Sequence, residues 1–181
     1  MPVAGSEVVT LRDMNPTYLV GGGKAGTPEF NELKRRFGFE YSGMRLHEFY
    51  FDNMKANGGA VPQGGKLASK LAEDFGSVEN WEADFRATGM MRGIGWVVMY
   101  QDPHTGRLQN FFVGDHENGH PAGFTPVLVM DVWEHAFLRD YKASERSKYI
   151  EAFCKNIDWE AVHRRLVTPA GTATRPSGSE I

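Results

Sequence analysis

Asp131 and His135 stand in "DVWEHAFLRD" (131–140), directly after the apolar run "GFTPVLVM". An apolar run of this kind, bounded by turn signals, predicts a strand covered on both faces. Closing that strand with Asp131, then Glu134 and His135, places ionisable groups where leaving them unpaired is costly. A metal ion is the leading way to compensate them. The D-x-x-x-H spacing falls where the strand is expected to run into a helix, which brings both side chains to one side as the helix begins. Carboxylate with imidazole suits iron, manganese or zinc, and the lack of thiolates leans toward redox-capable iron or manganese. The pattern alone is common. Its weight comes from the buried strand end, with Trp133 between the two groups and Glu134 adjacent.

The rest of the chain bounds what such a site could serve. It has 181 residues, 41% hydrophobic and 24% charged, with 12 Phe and 4 Trp, enough for one domain or two small lobes around one core. The net charge of −3 gives no basic footprint for nucleic acid and no polybasic membrane patch. No apolar run is long enough to span a bilayer, and "MPVAGSEVV" lacks a charged segment followed by an apolar one. A soluble cytoplasmic protein is the expectation. Cys154 is the single cysteine, which rules out an internal disulfide. It shares a helical stripe with Ile150, Phe153 and Ile157 and reads as a small core residue.

Four stretches must position the chemistry. Residues 1–27 are weakly patterned. Their "GGGKAG" fits GxGxxG at Gly21, Gly23 and Gly26, but helices follow where a dinucleotide fold needs a βαβ unit, so an exposed flexible loop is expected. Residues 28–92 form a helical lobe. Thr27 caps Pro28 and Glu29, with Phe30, Leu33 and Phe37 apolar. The pattern resumes after Gly38 through Leu46, Tyr50 and Met54 and stops at "ANGG". "KLASKLAEDFG" and "SVENWEADFRATGMM" supply two more helices, the latter capped by Ser77 and carrying Val78, Trp81 and Phe85 inward. Residues 93–166 form an α/β lobe, in which "GWVVMYQD", "DPHTG" and "RLQNFFVG" read as strand, turn, strand. A polar loop, "DHENGHPAGF", leads to "TPVLVM", and two helices close the lobe. The tail 167–181 reads as disordered. The fold class is α+β: a helical hairpin layer, then a three-stranded antiparallel sheet flanked by helices.

"DVWEHAF" resembles the signature of the iron/manganese superoxide dismutases, whose Asp and His are metal ligands. The likeness continues in order over about residues 28–166. "LHEFYFDNMKANGG" is similar to the family's second-helix segment, which implies that His47 is a further ligand. Without that H-x-F-Y context His47 would pass for a satisfied core histidine. "GIGWVV" resembles the strand whose Trp walls the site, giving Trp96, and "RSKYIEAFCKNIDW" resembles the closing helices. In the loop "GDHENGHPAG" the spacing from Trp96 implies His116 as the outer-sphere group that tunes the metal, with His120 four residues on. His120 reads equally as a group behind the ligands or at an interface, and as loop packing. Glu134 resembles the residue that crosses the dimer to the partner's ligand His, and Arg146 the Arg lining the anion funnel. The resemblance therefore implies one Fe or Mn ion per subunit and a homodimer through the Glu134/His135 region. It also implies an antioxidant oxidoreductase acting on a small anionic, oxygen-derived substrate.

Two departures stand out. The family's first-helix His ligand and its gateway Tyr have no counterpart, since no His precedes His47. After "WEHA" the family has two aromatics, whereas this chain has Phe137 and Leu138. Four explanations remain open: a chain that starts late, a substitute such as Glu7, Asp13, water or a partner group, three ligands alone, or loss of the metal. Dismutation at an altered, three-ligand site leads. A 2-His-1-carboxylate iron enzyme acting on an organic substrate and a metal-free scaffold are the alternatives. The expected activity is weak. His104 in the hairpin turn and His163 on a terminal helix read as surface groups, and Trp81 and Trp159 as core anchors.

Overall fold

In the computed structural model, residues 26–168 are described. Gly21–Ala25 of the GGGKAG stretch and the tail beyond Thr168 lie outside them. The chain runs through α1 (Pro28–Asp52), α2 (Gly65–Phe75), α3 (Val78–Gly89), β1 (Gly95–Gln101), β2 (Leu108–Gly114), β3 (Thr125–Asp131), α4 (Arg146–Lys155) and α5 (Trp159–Arg164). The α+β expectation is met. α2 and α3 form the helical hairpin, α1 lies on β3, and the sheet is antiparallel in the order β2–β1–β3.

Local signals set the helix starts. Thr27 Oγ1 accepts the Phe30 N–H with Pro28 in the first turn, and Ser77 Oγ accepts the Asn80 N–H at 3.0 Å. Three boundaries differ from expectation. α1 runs unbroken through Gly38 for 25 residues, because packing on β3 outweighs a glycine cost of about 1 kcal/mol. It stops at Asp52 rather than at "ANGG", since Asn53 leaves helical geometry and turns its side chain to β3. After β3 comes only a short 3-10 turn, Glu134–Ala136, instead of an α-helix.

The core centres on β1, every residue of which is buried. Trp81, Phe85, Leu71, Leu128, Met130 and Ile157 close around it, while Cys154 fills a core position and burial pushes its thiol up to about 11. The strand register sets which residues meet at the sheet's end. Trp96 pairs with Asp131 on β3 and with Val113 on β2. One end of the sheet therefore gathers the start of β1, the end of β3 and the loop leaving β2. Gly95 allows this closeness: its φ is 144°, and a Cβ there would lie 2.0 Å from the Val113 carbonyl oxygen.

Candidate metal centre

Asp131 is the last residue of β3 and is 1% exposed. Its Oδ1 accepts the Trp133 N–H at 2.8 Å, which turns Oδ2 toward α1 and the 3-10 turn. Burial holds its carboxyl above the ordinary carboxylate range, against the pull of Trp133, His135 and His47. Among the described residues no Lys or Arg pairs with it; the side chains nearest its Oδ2 are the two imidazoles. Its backbone carbonyl accepts from the Tyr149 hydroxyl at 2.6 Å, and the Tyr50 hydroxyl lies 3.1 Å from that of Tyr149. Burial raises both phenols, so they stay neutral and hold the strand end in place.

His47 approaches from α1 and His135 from the 3-10 turn. The Nδ1 of His47 is 2.7 Å from the Gly43 carbonyl oxygen, which can only accept. The proton therefore sits on Nδ1, and Nε2 keeps its lone pair. That lone pair faces His135 Nε2 at 3.4 Å and Asp131 Oδ2 at 3.6 Å, and His135 Nε2 is 3.0 Å from Asp131 Oδ2. Three electron-pair donors thus meet at one point, the single group of metal-ligating side chains found among the described residues. Donors bound about 2.1 Å from one first-row ion lie roughly 3.0–3.6 Å apart when their bonds open by about 90–120°. The triangle fits a cation of that size. An ion would take the place of the proton that the Asp131 carboxylate otherwise receives from His135 Nε2.

His116 borders this triangle. Its Nδ1 receives the Trp96 indole N–H at 3.0 Å. An indole nitrogen can only donate, so neutral His116 carries its proton on Nε2. Burial and the nearby His47 hold its pKa below the ordinary range. Phe39 packs edge-on to the ring, with 4.6 Å between centroids, and Trp133 lies 4.7 Å away. Trp133 also stacks on His135 at 5.9 Å, so it wedges the two imidazoles.

Gly43 makes room for His116. A Cβ at Gly43 would lie 2.9 Å from the ring's Cδ2 and 3.1 Å from Nε2. In a helix interior Gly→Ala gains about 1 kcal/mol from propensity. We expect Gly43→Ala to lose about 1–2 kcal/mol instead, because the ring must leave Trp96. Urea denaturation checks this, and a stabilised variant would show that the ring has room.

The structure brings together His47, Asp131, His135, Trp96, Trp133 and His116, with His120 one step behind. Arg146 stands apart. It is half-buried and its Nη1 donates to the Gly93 carbonyl at 2.9 Å, while Nε and Nη2 are buried without partners. It reaches the site only through its own helix, which also carries Tyr149. Glu134 is exposed, and so is His135, whose side chain is 54% exposed. In the single chain the 3-10 turn carries both residues out from the strand end. Among the described residues Glu134 makes no side-chain ion pair. Phe137 is buried and Leu138 is 46% exposed. His104 and His163 are surface groups.

Sequence reasoning passed over Gly43 and Asn53. Gly43 sits one turn before His47, where its carbonyl sets the tautomer, and that spacing could have found it. Asn53 is fully buried, and its amide bonds both backbone groups of Val129. The signal for it was one amide on the apolar stripe after Tyr50.

Comparison with known proteins agrees with this geometry. The model of the iron/manganese superoxide dismutases, C-terminal domain, matches residues 62–165. The chain is 41% identical over 138 residues to the "Superoxide dismutase [Fe]" of Cupriavidus metallidurans, covering 75% of this chain and 68% of that protein. It is 39% identical over 125 residues to the "Superoxide dismutase [Mn] 1" of Halobacterium salinarum, covering 69% and 61%. With the "Superoxide dismutase [Mn/Fe]" of Aeropyrum pernix it shares 37% over 137 residues, covering 74% and 63%. The match thus spans about three fifths to two thirds of these relatives' lengths. No described helix is long and apolar enough to cross a membrane. On the matched residues, and on a site assembled from α1, β1 and β3, the chain belongs to the iron/manganese superoxide dismutase family.

Proposed function

We propose that this chain is a metal-dependent oxidoreductase of superoxide dismutase type, with His47, Asp131 and His135 holding one iron or manganese ion per subunit. The observation that carries the reading is the triangle of Nε2, Nε2 and Oδ2 atoms at 3.0–3.6 Å around a carboxylate 1% exposed. The matched relatives are named for Fe, Mn or both, which supports either metal. When bound, the ion supplies one-electron chemistry, accepting an electron from one superoxide and returning it to another, to give dioxygen and peroxide.

The chain's residues supply the rest. Gly43 fixes the His47 imidazole through its carbonyl, and Trp133 stacks against that of His135. His116 holds a proton on Nε2, facing α1, where it can donate to a small oxygen species or a water at the site. Trp96 keeps that proton in place by occupying Nδ1. Arg146, anchored to the Gly93 carbonyl and apart from the triangle, contributes only its long-range positive charge to the field an incoming anion meets. A second copy of the chain covers the Glu134/His135 edge in this reading. Glu134 is exposed there, and His135 Nδ1 meets no hydrogen-bond partner among the described residues. The relatives' names favour superoxide over an organic substrate, and the convergence of three ligating atoms favours a metal-bound protein over a metal-free scaffold.

With His47, Asp131 and His135 as the protein ligands, and Leu138 where the family has a second aromatic, we expect slower turnover than in the relatives. Protein loaded with Fe or Mn should dismute superoxide at least about tenfold more slowly than the Cupriavidus enzyme, the scale of losses when groups around a ligand shell are removed. A stopped-flow or cytochrome c competition assay measures this. A loaded protein no faster than a denatured control would overturn the proposed function. A rate equal to that of the relative would overturn the expected loss.

A further inference from the structure

His120 follows His116 by four residues in the loop joining β2 to β3, and both its ring nitrogens are engaged. Its Nε2 is 2.9 Å from the His116 backbone oxygen. A carbonyl only accepts, so Nε2 carries the proton and Nδ1 holds a lone pair. That lone pair takes the Tyr100 hydroxyl at 2.6 Å. Tyr100 lies on β1, is 3% exposed, and burial pushes its hydroxyl well above the ordinary range, so it remains a donor.

His116 is therefore fastened to β1 twice. Its ring is held through Trp96, and its backbone through His120 and Tyr100, which stands four residues further along the same strand. Trp96 and Tyr100 share one face of β1, because side chains alternate along a strand. The base of the loop is closed separately, by reciprocal backbone bonds between Gly114 and Asn118 at 2.8 and 3.0 Å. Those bonds leave the His116 carbonyl to His120. A proton relay does not fit this chain of contacts, since it ends on a carbonyl oxygen with no proton to pass on. A strut does.

We infer that His120 is a positioning residue, which with Tyr100 fixes the His116 backbone so that the ring meets Trp96 and keeps its proton on Nε2. The consequence for turnover rests on the function proposed above; the consequence for the His116 ring does not. Two-bond 1H–15N spectra of the metal-free protein read the His116 tautomer, and the Trp96 indole N–H can be assigned with Trp96→Phe. In His120→Leu we expect the Trp96 indole signal to move, its hydrogen exchange to speed up about tenfold or more, and the His116 tautomers to mix. The Trp81 and Trp159 indoles should stay put. His120→Gln restores an N–H donor to the carbonyl and should recover part of the loss. Tyr100→Phe removes the other end of the strut and should repeat the effect if His120→Leu fails to fold.

In metal-loaded protein His120→Leu should lower turnover about tenfold, within the range for outer-shell partners. An unchanged Trp96 signal and His116 tautomer in both His120→Leu and Tyr100→Phe would overturn the inference. Equal changes at Trp81 and Trp159 would also overturn it, by showing general loosening. If the spectra change as expected but wild-type loaded protein does not dismute superoxide, the strut stands and the functional reading falls.

Discussion

Asp131→Ala is expected to purify with less than about a tenth of the metal carried by the wild type, measured by elemental analysis without added metal. Asp131 is the only anionic member of the triangle, and its removal leaves two neutral imidazoles, of which His135 is largely exposed. The fold should survive. Tyr149 bonds the backbone carbonyl of residue 131, which any side chain retains. The sign for the metal-free protein is opposite to that for the holoprotein. Burial raises the Asp131 carboxyl, so its contribution to folding is present at low pH and is lost as pH rises through the raised value. Alanine removes that loss. Metal-free Asp131→Ala should therefore be as stable as metal-free wild type at neutral pH, or more so, and should lack this part of the pH dependence. Chemical denaturation of both proteins after chelation, at pH 4 and pH 7, checks this. A variant that keeps a full complement of metal would remove Asp131 from the site.

Asn53→Ala should cause the largest loss of stability. Asn53 lies just past the end of α1 and is fully buried. Its side chain donates to the carbonyls of Tyr50 at 2.9 Å and Val129 at 3.1 Å, and it accepts the Val129 N–H at 2.9 Å. Arg165 also reaches its Oδ1 at 3.2 Å, and the Asp158 N–H bonds its backbone oxygen. One amide thus joins α1, β3 and the residues around α5. Truncation strands the N–H and C=O of Val129 in the interior, at about 1–3 kcal/mol each. The expected cost is about 2–5 kcal/mol, a fall in Tm of roughly 5–15 °C for a domain of this size. The damage should not stay local. Val129 is two residues from Asp131, and the helix that Asn53 ends carries His47, so metal retention should fall along with stability. A loss under about 1 kcal/mol would mean that β3 holds its register without this clamp.

Much of this was legible in the chain because the signals were local. Thr27-Pro28 and Ser77 announce helix starts, alternation and turns announce β1 and β2, and the apolar run before Asp131 announces a buried strand. Asp131 and His135 stood out by their place at the end of that strand, whereas His47, Trp96, His116 and Arg146 were named through the family resemblance of the stretches that carry them. What stayed hidden depends on partners far along the sequence. α1 continues through Gly38 and Gly43 because β3 lies beneath it and His116 fills the space that a Cβ would take. Asn53 went unnoticed inside a helix expected to run on to "ANGG", yet its role is set by a strand 76 positions away. The outward turn of Glu134 is set by the single 3-10 turn after Trp133, where the D-x-x-x-H spacing pointed to a helix. His120, read equally as packing, gains its role from Tyr100, twenty residues earlier.

The claim that everything else leans on is that three side chains from α1, β3 and the 3-10 turn share one ion. Anomalous diffraction from crystals grown with Mn or Fe, collected on either side of the metal's absorption edge, tests it directly. The expected result is one strong peak per chain, within bonding distance of His47 Nε2, His135 Nε2 and Asp131 Oδ2 at once, with the His116 ring beside it and still bonded to Trp96. A peak elsewhere, or metal-soaked crystals in which those three atoms stay in direct contact with no peak between them, would contradict it.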